Sequence, residues 1–207
     1  PAVTISTGTG AAPVSTDIVV DRIARAHTVV TASSATWPDD PPVLTLENAA
    51  GERVRVTAAS SSMQDVARAI SAAGAGIVAT VVRAGSDDTG AAAYRLQLTA
   101  TQTGAAGAFR VYRGDPAAVD AGTATDVAAS GGAVVTAGAD AQLRLWAGTD
   151  AEQVVTSSGN TFTGLFPGVD VTVAAASPSP AALTVAVDDA ARTAVAGDLV
   201  AQLASVL

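Results

Sequence analysis

Cysteine and lysine are absent from the 207-residue sequence, histidine occurs once, and aromatic residues make up only 3%. Without cysteine there is no thiolate nucleophile, disulfide or thiolate metal site. Without lysine there is no Walker-type phosphate ligand, Schiff base or Ser–Lys dyad. One histidine, His27, excludes any multi-histidine metal site. No apolar run approaches the ~20 residues of a bilayer-spanning helix. Hydrophobic residues reach 49% with few rings, so the core must be Val, Leu, Ile and Ala, and sheet area must compensate for the smaller gain per side chain. Eleven arginines against 19 acidic residues leave a net charge of −8. With no basic stripe, neither nucleic acid nor a membrane is expected as a partner. Absence of cysteine suits an exported protein. Pro1 opens the sequence without a signal-peptide pattern, which suggests a piece of a longer chain.

What is present is mostly strand-like. Residues 1–13 read as an extended, Gly-rich lead-in. Residues 17–31, DIVVDRIARAHTVVT, alternate around Ile18 and Val20 and read as one long strand. The breaker cluster TWPDDPP (36–42) suggests a domain crossing. VLTLE and RVRVT flank a turn containing Gly51 and predict a hairpin. Residues 61–74, SSMQDVARAISAAG, predict a helix: Ser62 caps, Asp65 stands at the capping-box spacing, Met63, Val66, Ala67 and Ile70 share a face, and Gly74 stops it. Strands follow at IVATVV, YRLQLTA and AFRVY. Residues 114–138 read as loop with at most one weak strand. QLRLWAG and EQVVTS form a second hairpin around Thr149 and Asp150. In NTFTGLFPGVDVTV (160–173) two alternating runs flank Pro167 and Gly168, a turn. ALTVAV is the last strand, entered from a Ser-Pro-Ser-Pro turn. DDAARTAVAGDLVAQLASVL then changes to helical period, with Val195, Leu199 and Leu203 in one row. This order predicts an α+β fold, mainly antiparallel β.

The residues that could carry chemistry have plainer uses. A Ser–His–Asp triad through His27 stays open on counting alone, but no Gly-x-Ser-x-Gly elbow occurs. His27 holds a polar-alternation position, where a surface or edge-strand histidine is the better reading. The pairs Asp39-Asp40, Asp87-Asp88 and Asp188-Asp189 lack a calcium-loop pattern and fit turns and helix starts. Trp37 and Trp146 fit core or interdomain packing better than ligand platforms. Neither Gly-x-Gly phrase follows a strand and opens a helix, so neither is a dinucleotide site. No catalytic, cofactor-binding or metal-ligating residue is assigned, no cofactor is expected, and by exclusion the protein is not an enzyme.

Three phrases carry a resemblance. SSMQDVARAISAAGAGIVATVV, followed by YRLQLTATQTGAAGAFRV, resembles the flagellin and hook "IN" motif. Ile70 to Ala73 and Gly76 hold its helix end, Tyr94, Arg95, Leu96, Leu98 and Thr99 its strand. Thr103, Gly104, Ala105, Ala106 and Ala108 hold its close. NTFTGLFPGVDVTV resembles a phrase of the bacterial flagellar filament cap family, the hook-associated protein 2 family, and DIVVDRIARAHTVVTAS is similar to that family's strand. All three stand in the family's order, and the likeness covers nearly the whole chain. Asp17 departs from the usual Ser or Tyr, and Gly107 stands where Asn is frequent.

The resemblance implies a structural role at the distal tip of the filament, outside the cell. It implies a ring-shaped homo-oligomer, commonly a pentamer in the family, that retains exported flagellin and promotes its polymerisation. Partners would be copies of itself, flagellin and a flagellar export chaperone. Export would proceed through the flagellar apparatus without a cleaved signal peptide. It also implies two β-rich domains, one inserted into the other: residues 1–35 with 138–189 as the leg-proximal domain, and 36–137, with its helix at 62–73, as the outer one. Residues 190–207 would start a C-terminal leg helix, and the remaining legs are expected beyond the sequence. Two other readings stay open: a surface adhesin or tail-fibre module, marked by tandem β repeats and an anchor, and a hydrolase built on His27.

Overall fold

The computed structural model describes residues 2–8, 10–86 and 90–186. In chain order the elements begin with β1 (Val3–Thr7), β2 (Val14–Arg22), β3 (Ala26–Val30), β4 (Val43–Asn48) and β5 (Arg53–Thr57). Next come α1 (Met63–Ala72), β6 (Ile77–Ser86), β7 (Ala92–Thr103), β8 (Phe109–Arg113), α2 (Pro116–Asp120) and β9 (Thr125–Asp126). The last are β10 (Ala133–Thr136), β11 (Ala141–Leu145), β12 (Gln153–Ser157), β13 (Thr161–Phe166), β14 (Val169–Val173) and β15 (Ser177–Val185). All pairings among these strands are antiparallel, and the α+β, mainly antiparallel expectation holds.

Two β-rich domains result, each with its own core. In one, a sheet of order β1-β14-β13 faces a sheet of order β12-β11-β2-β15. Ile18 and Val20 of β2, Leu143 and Leu145 of β11, Leu183 of β15 and Val169, Val171 and Val173 of β14 meet in a single cluster. Alternation explains the arrangement, since odd positions of β14 are buried while Asp170 and Thr172 turn outward. In the other domain, sheets β10-β3-β7-β6 and β5-β4-β8-β9 enclose α1. Leu96 and Leu98 of β7, Leu44 and Leu46 of β4, and Val66 and Ile70 of α1 are at most 1% exposed.

Local chemistry fixes α1 as the sequence predicts. The Ser62 hydroxyl accepts from the Asp65 N–H at 3.1 Å, and Asp65 accepts from the Ser60 hydroxyl at 2.5 Å. The Ser60 bond is the main reason the Asp65 carboxyl sits below its ordinary pKa, with Ser62 and Arg68 adding to it and burial opposing. Both hairpins form in the expected place, with Val43 opposite Thr57 and Leu145 opposite Gln153. The Pro167-Gly168 turn joins β13 to β14, Gly168 having φ 68°.

Several expectations are corrected. The single strand over 17–31 is two strands in two sheets: β2 pairs with β11 and β15, whereas β3 pairs with β7 and β10. Sheet membership therefore changes across residues 23–25, ahead of the crossing expected at TWPDDPP. The lead-in contains β1, which pairs with β14. Residues 114–138 hold α2, β9 and β10. Asp115 caps α2 with Pro116 in its first turn, an N-terminal signal in its own right. The Ser-Pro-Ser-Pro stretch is part of β15, which tolerates Pro178 and Pro180 because it is an edge strand with a register shift there. Asp87, Asp88, Asp188, Asp189 and the helix expected over 190–207 lie outside the described residues.

Candidate functional site at the domain junction

The chain crosses between domains twice, through residues 23–25 and 137–140, and the crossings bond to each other. Arg25 N–H donates to the Ala139 carbonyl at 2.8 Å, and Ala139 N–H returns to the Arg25 carbonyl at 3.1 Å. The close of the IN-like motif docks on this pair. Gly104 N–H donates to the Arg25 carbonyl at 3.1 Å, Thr103 Oγ1 to the Ser158 carbonyl at 2.7 Å, and Ala105 N–H to Asp140 Oδ1 at 2.8 Å. Arg22 Nε holds the Asp140 carbonyl at 2.9 Å. Asn160, first residue of the Asn-Thr-Phe-Thr phrase, accepts the Ala24 N–H at 2.7 Å on Oδ1, and its carbonyl accepts from Val173 N–H. Two phrases far apart in sequence thus meet at one place.

Glycine is required at this contact. Gly104 has φ 95° and ψ 169°, a region that side chains forbid. A Cβ there would stand 2.7 Å from Asp140 Oδ1 and 2.9 Å from the Ser158 carbonyl oxygen. At Gly138 a Cβ would stand 2.6 Å from the Gly104 carbonyl oxygen. Gly107, the departure from the family's Asn, has a local reason: a Cβ there would be 2.5 Å from the Gln102 carbonyl oxygen.

His27 belongs to this junction, not to the surface. Its strand β3 lies between β7 and β10, so it is no edge strand, and His27 faces inward with Val29, 8% exposed. Its ring meets Phe109 edge-on at 4.9 Å, and Nδ1 accepts the Gly138 N–H at 3.2 Å. Burial holds its pKa below the ordinary histidine value, partly offset by a bond to the Phe109 backbone. Among the described residues the ring bonds to backbone, and neither a serine nor an aspartate partners it. Trp37 is buried in the core of the inserted domain, as expected. Trp146 is 46% exposed, contrary to expectation: its φ of 53° at the end of β11 places it in a turn whose Thr149 N–H and Oγ1 both bond to the Trp146 carbonyl. Asp39 forms a two-bond pair with Arg113, a structural use. Among the described residues no group of three or more His, Cys, Asp or Glu could hold a metal ion, and no helix is long and apolar enough to cross a membrane.

The architecture defines a class: a two-domain antiparallel β protein in which one domain is inserted into the other and a hydrogen-bonded junction joins them. Solved structures with a similar fold include flagellar cap proteins. The D2-D3 domains of FliD from Escherichia coli match over 90% of this chain and 95% of that one, with TM-score 0.69 and 24% identity. FliD (HAP2) from Pseudomonas aeruginosa matches over 98% and 92%, with TM-score 0.71 and 19% identity. The FliD D2-D3 domains from Serratia marcescens match over 89% and 100%, with TM-score 0.68 and 19% identity. No family model matches the sequence, and no curated protein does. The fold is therefore that of the FliD D2-D3 region.

Proposed function

We propose that this chain is the plate region of a flagellar filament cap protein, acting outside the cell at the tip of the filament. In this reading it assembles with copies of itself into a ring, retains exported flagellin and promotes its polymerisation. It would be delivered by the flagellar export apparatus, with a chaperone, and without a cleaved signal peptide. Its work is structural and uses no cofactor. The carrying observation is a FliD-like fold over nearly the whole chain, together with two cap-like phrases that meet in it at one junction. We place the domain boundaries at that junction, near residues 23–25 and 137–140, with the intervening segment as the outer domain.

The test is genetic. Deleting the gene that encodes the full protein should leave cells with hooks but short or absent filaments, and with monomeric flagellin in the medium. Restoring the full gene should restore filaments, and restoring it without residues 2–186 should not. Normal filaments in the deletion strain would refute the reading.

A further inference from the structure

The junction also borders a cleft. Beside the bonds that close the junction, this cleft of about 580 Å³ is lined by Arg22, Arg25, Val135, Ala137, Ala139 and the Ala174–Ala176 connection between β14 and β15. We propose that this cleft is a docking site for an acidic, extended peptide segment of another protein chain.

Charge carries the argument. The chain has a net charge of −8, and Arg53, Arg68, Arg113 and Arg144 are committed to carboxylates. Arg22 and Arg25 are not. Among the described residues Arg22 bonds only to the Asp140 carbonyl, and the exposed Arg25 side chain has no partner. The one carboxylate lining the cleft, Asp21, is already held by Arg144 at 3.0 Å and by Gln142 at 3.0 Å. The cleft is thus locally cationic in an acidic protein. A cleft between low-dielectric walls concentrates that field, attracting carboxylates and rejecting basic segments.

The walls say what else the guest must be. Alanines leave room for a main chain to approach closely, and Val135, 60% exposed, offers an apolar contact at the rim. Bulky or folded guests lack that fit. An extended segment with small side chains and two or more carboxylates satisfies both requirements. This site does not depend on the cap reading, because any acidic partner of that shape would suit it.

The probe is the peptide Ac-Gly-Asp-Asp-Ala-Ala-Gly-NH₂, titrated into the ¹⁵N-labelled chain at low salt, with its Asp-to-Asn analogue as the neutral control. Saturable amide shifts are expected at Ala137, Ala139 and Ala175. They should weaken as salt rises towards a Debye length of about 8 Å. Arg25→Glu should weaken binding about ten-fold or more while leaving the amide spectrum elsewhere unchanged, since the exposed Arg25 side chain makes no hydrogen bond or ion pair among the described residues. Arg55→Glu, at another exposed arginine without an ion pair there, should change nothing. Absence of binding, equal shifts with the neutral peptide, or equal sensitivity to Arg55→Glu would each overturn the proposal.

Discussion

Replacing Gly104 by alanine should damage this protein more than its size suggests. Two costs add. The φ 95°, ψ 169° conformation is nearly exclusive to glycine, and holding alanine in it costs about 1–3 kcal/mol. The new methyl would also lie 2.7 Å from Asp140 Oδ1 and 2.9 Å from the Ser158 carbonyl oxygen. One neighbour is backbone and cannot swing away, so the contact must open. Opening it sacrifices the charge-assisted bond from Ala105 N–H to Asp140, worth about 1.5–3 kcal/mol. A loss of about 2.5–6 kcal/mol follows, or roughly 5–24 °C in Tm at about 2–4 °C per kcal/mol for a chain of this length. Gly122→Ala is the control, because Gly122 has φ 69° but an added methyl there would meet nothing within 4 Å. It should cost only about 1 kcal/mol. Urea unfolding followed by circular dichroism measures both. Asp140→Ala should cost about 1.5–3 kcal/mol alone and little more in the Gly104→Ala background, since both remove the same bond. If Gly104→Ala and Gly122→Ala were equally stable, or the Asp140 effect fully additive, the junction would not be the constraint described here.

Three other outcomes follow from the same contacts. Asn160→Ala should destabilise by about 1–3 kcal/mol by stranding the partly buried Ala24 N–H, measurable by urea titration, whereas Gln153→Ala on the surface should not. Ile70→Ala, at a fully buried position of α1, should cost about 2–5 kcal/mol in the same assay, against under about 1 kcal/mol for Val78→Ala at a 48% exposed site. His27 is neutral in the fold with its pKa lowered, so the unfolded chain binds the proton first. Its stabilising contribution is complete above the unfolded pKa of about 6.5 and is lost as pH falls through the lower folded value. The urea midpoint should therefore drop between pH 7.5 and pH 5, and His27→Gln should reduce that drop; an unchanged pH slope in the variant would count against the assignment.

The parts readable from the sequence were those determined by near neighbours. Ser62 and Asp65 specify the start of α1 within four residues, and Pro167-Gly168 specifies a turn within two. The strand face of Leu96 and Leu98 follows from alternation alone. The rest depended on residues far apart. β1 looks like a lead-in because its partner β14 comes more than 150 residues later. The break after Arg22 left no local mark, since Ile23, Ala24 and Arg25 look ordinary until Asn160, Ala139 and Gly104 engage them. His27 alternates as a polar residue should, yet faces inward because β3 belongs to a different sheet from β2, so the alternation restarts. The resemblance placed Thr103, Gly104 and Asn160 in family phrases without showing that these phrases touch.

The interleaved connectivity also sets an order of events. β2 is complete early in the chain, but its partners β11 and β15 come only after the whole inserted domain. Left as coil, a connection of about a hundred residues would cost on the order of 4 kcal/mol to close. If the inserted domain folds first, the Arg25–Ala139 bonds bring its two ends side by side and that entropy is already lost before β2 finds β11. The discontinuous domain then assembles as though its halves were joined by a short hairpin. Refolding should be sequential, with the signal of Trp37, buried in the inserted core, recovering ahead of that of Trp146 at the end of β11.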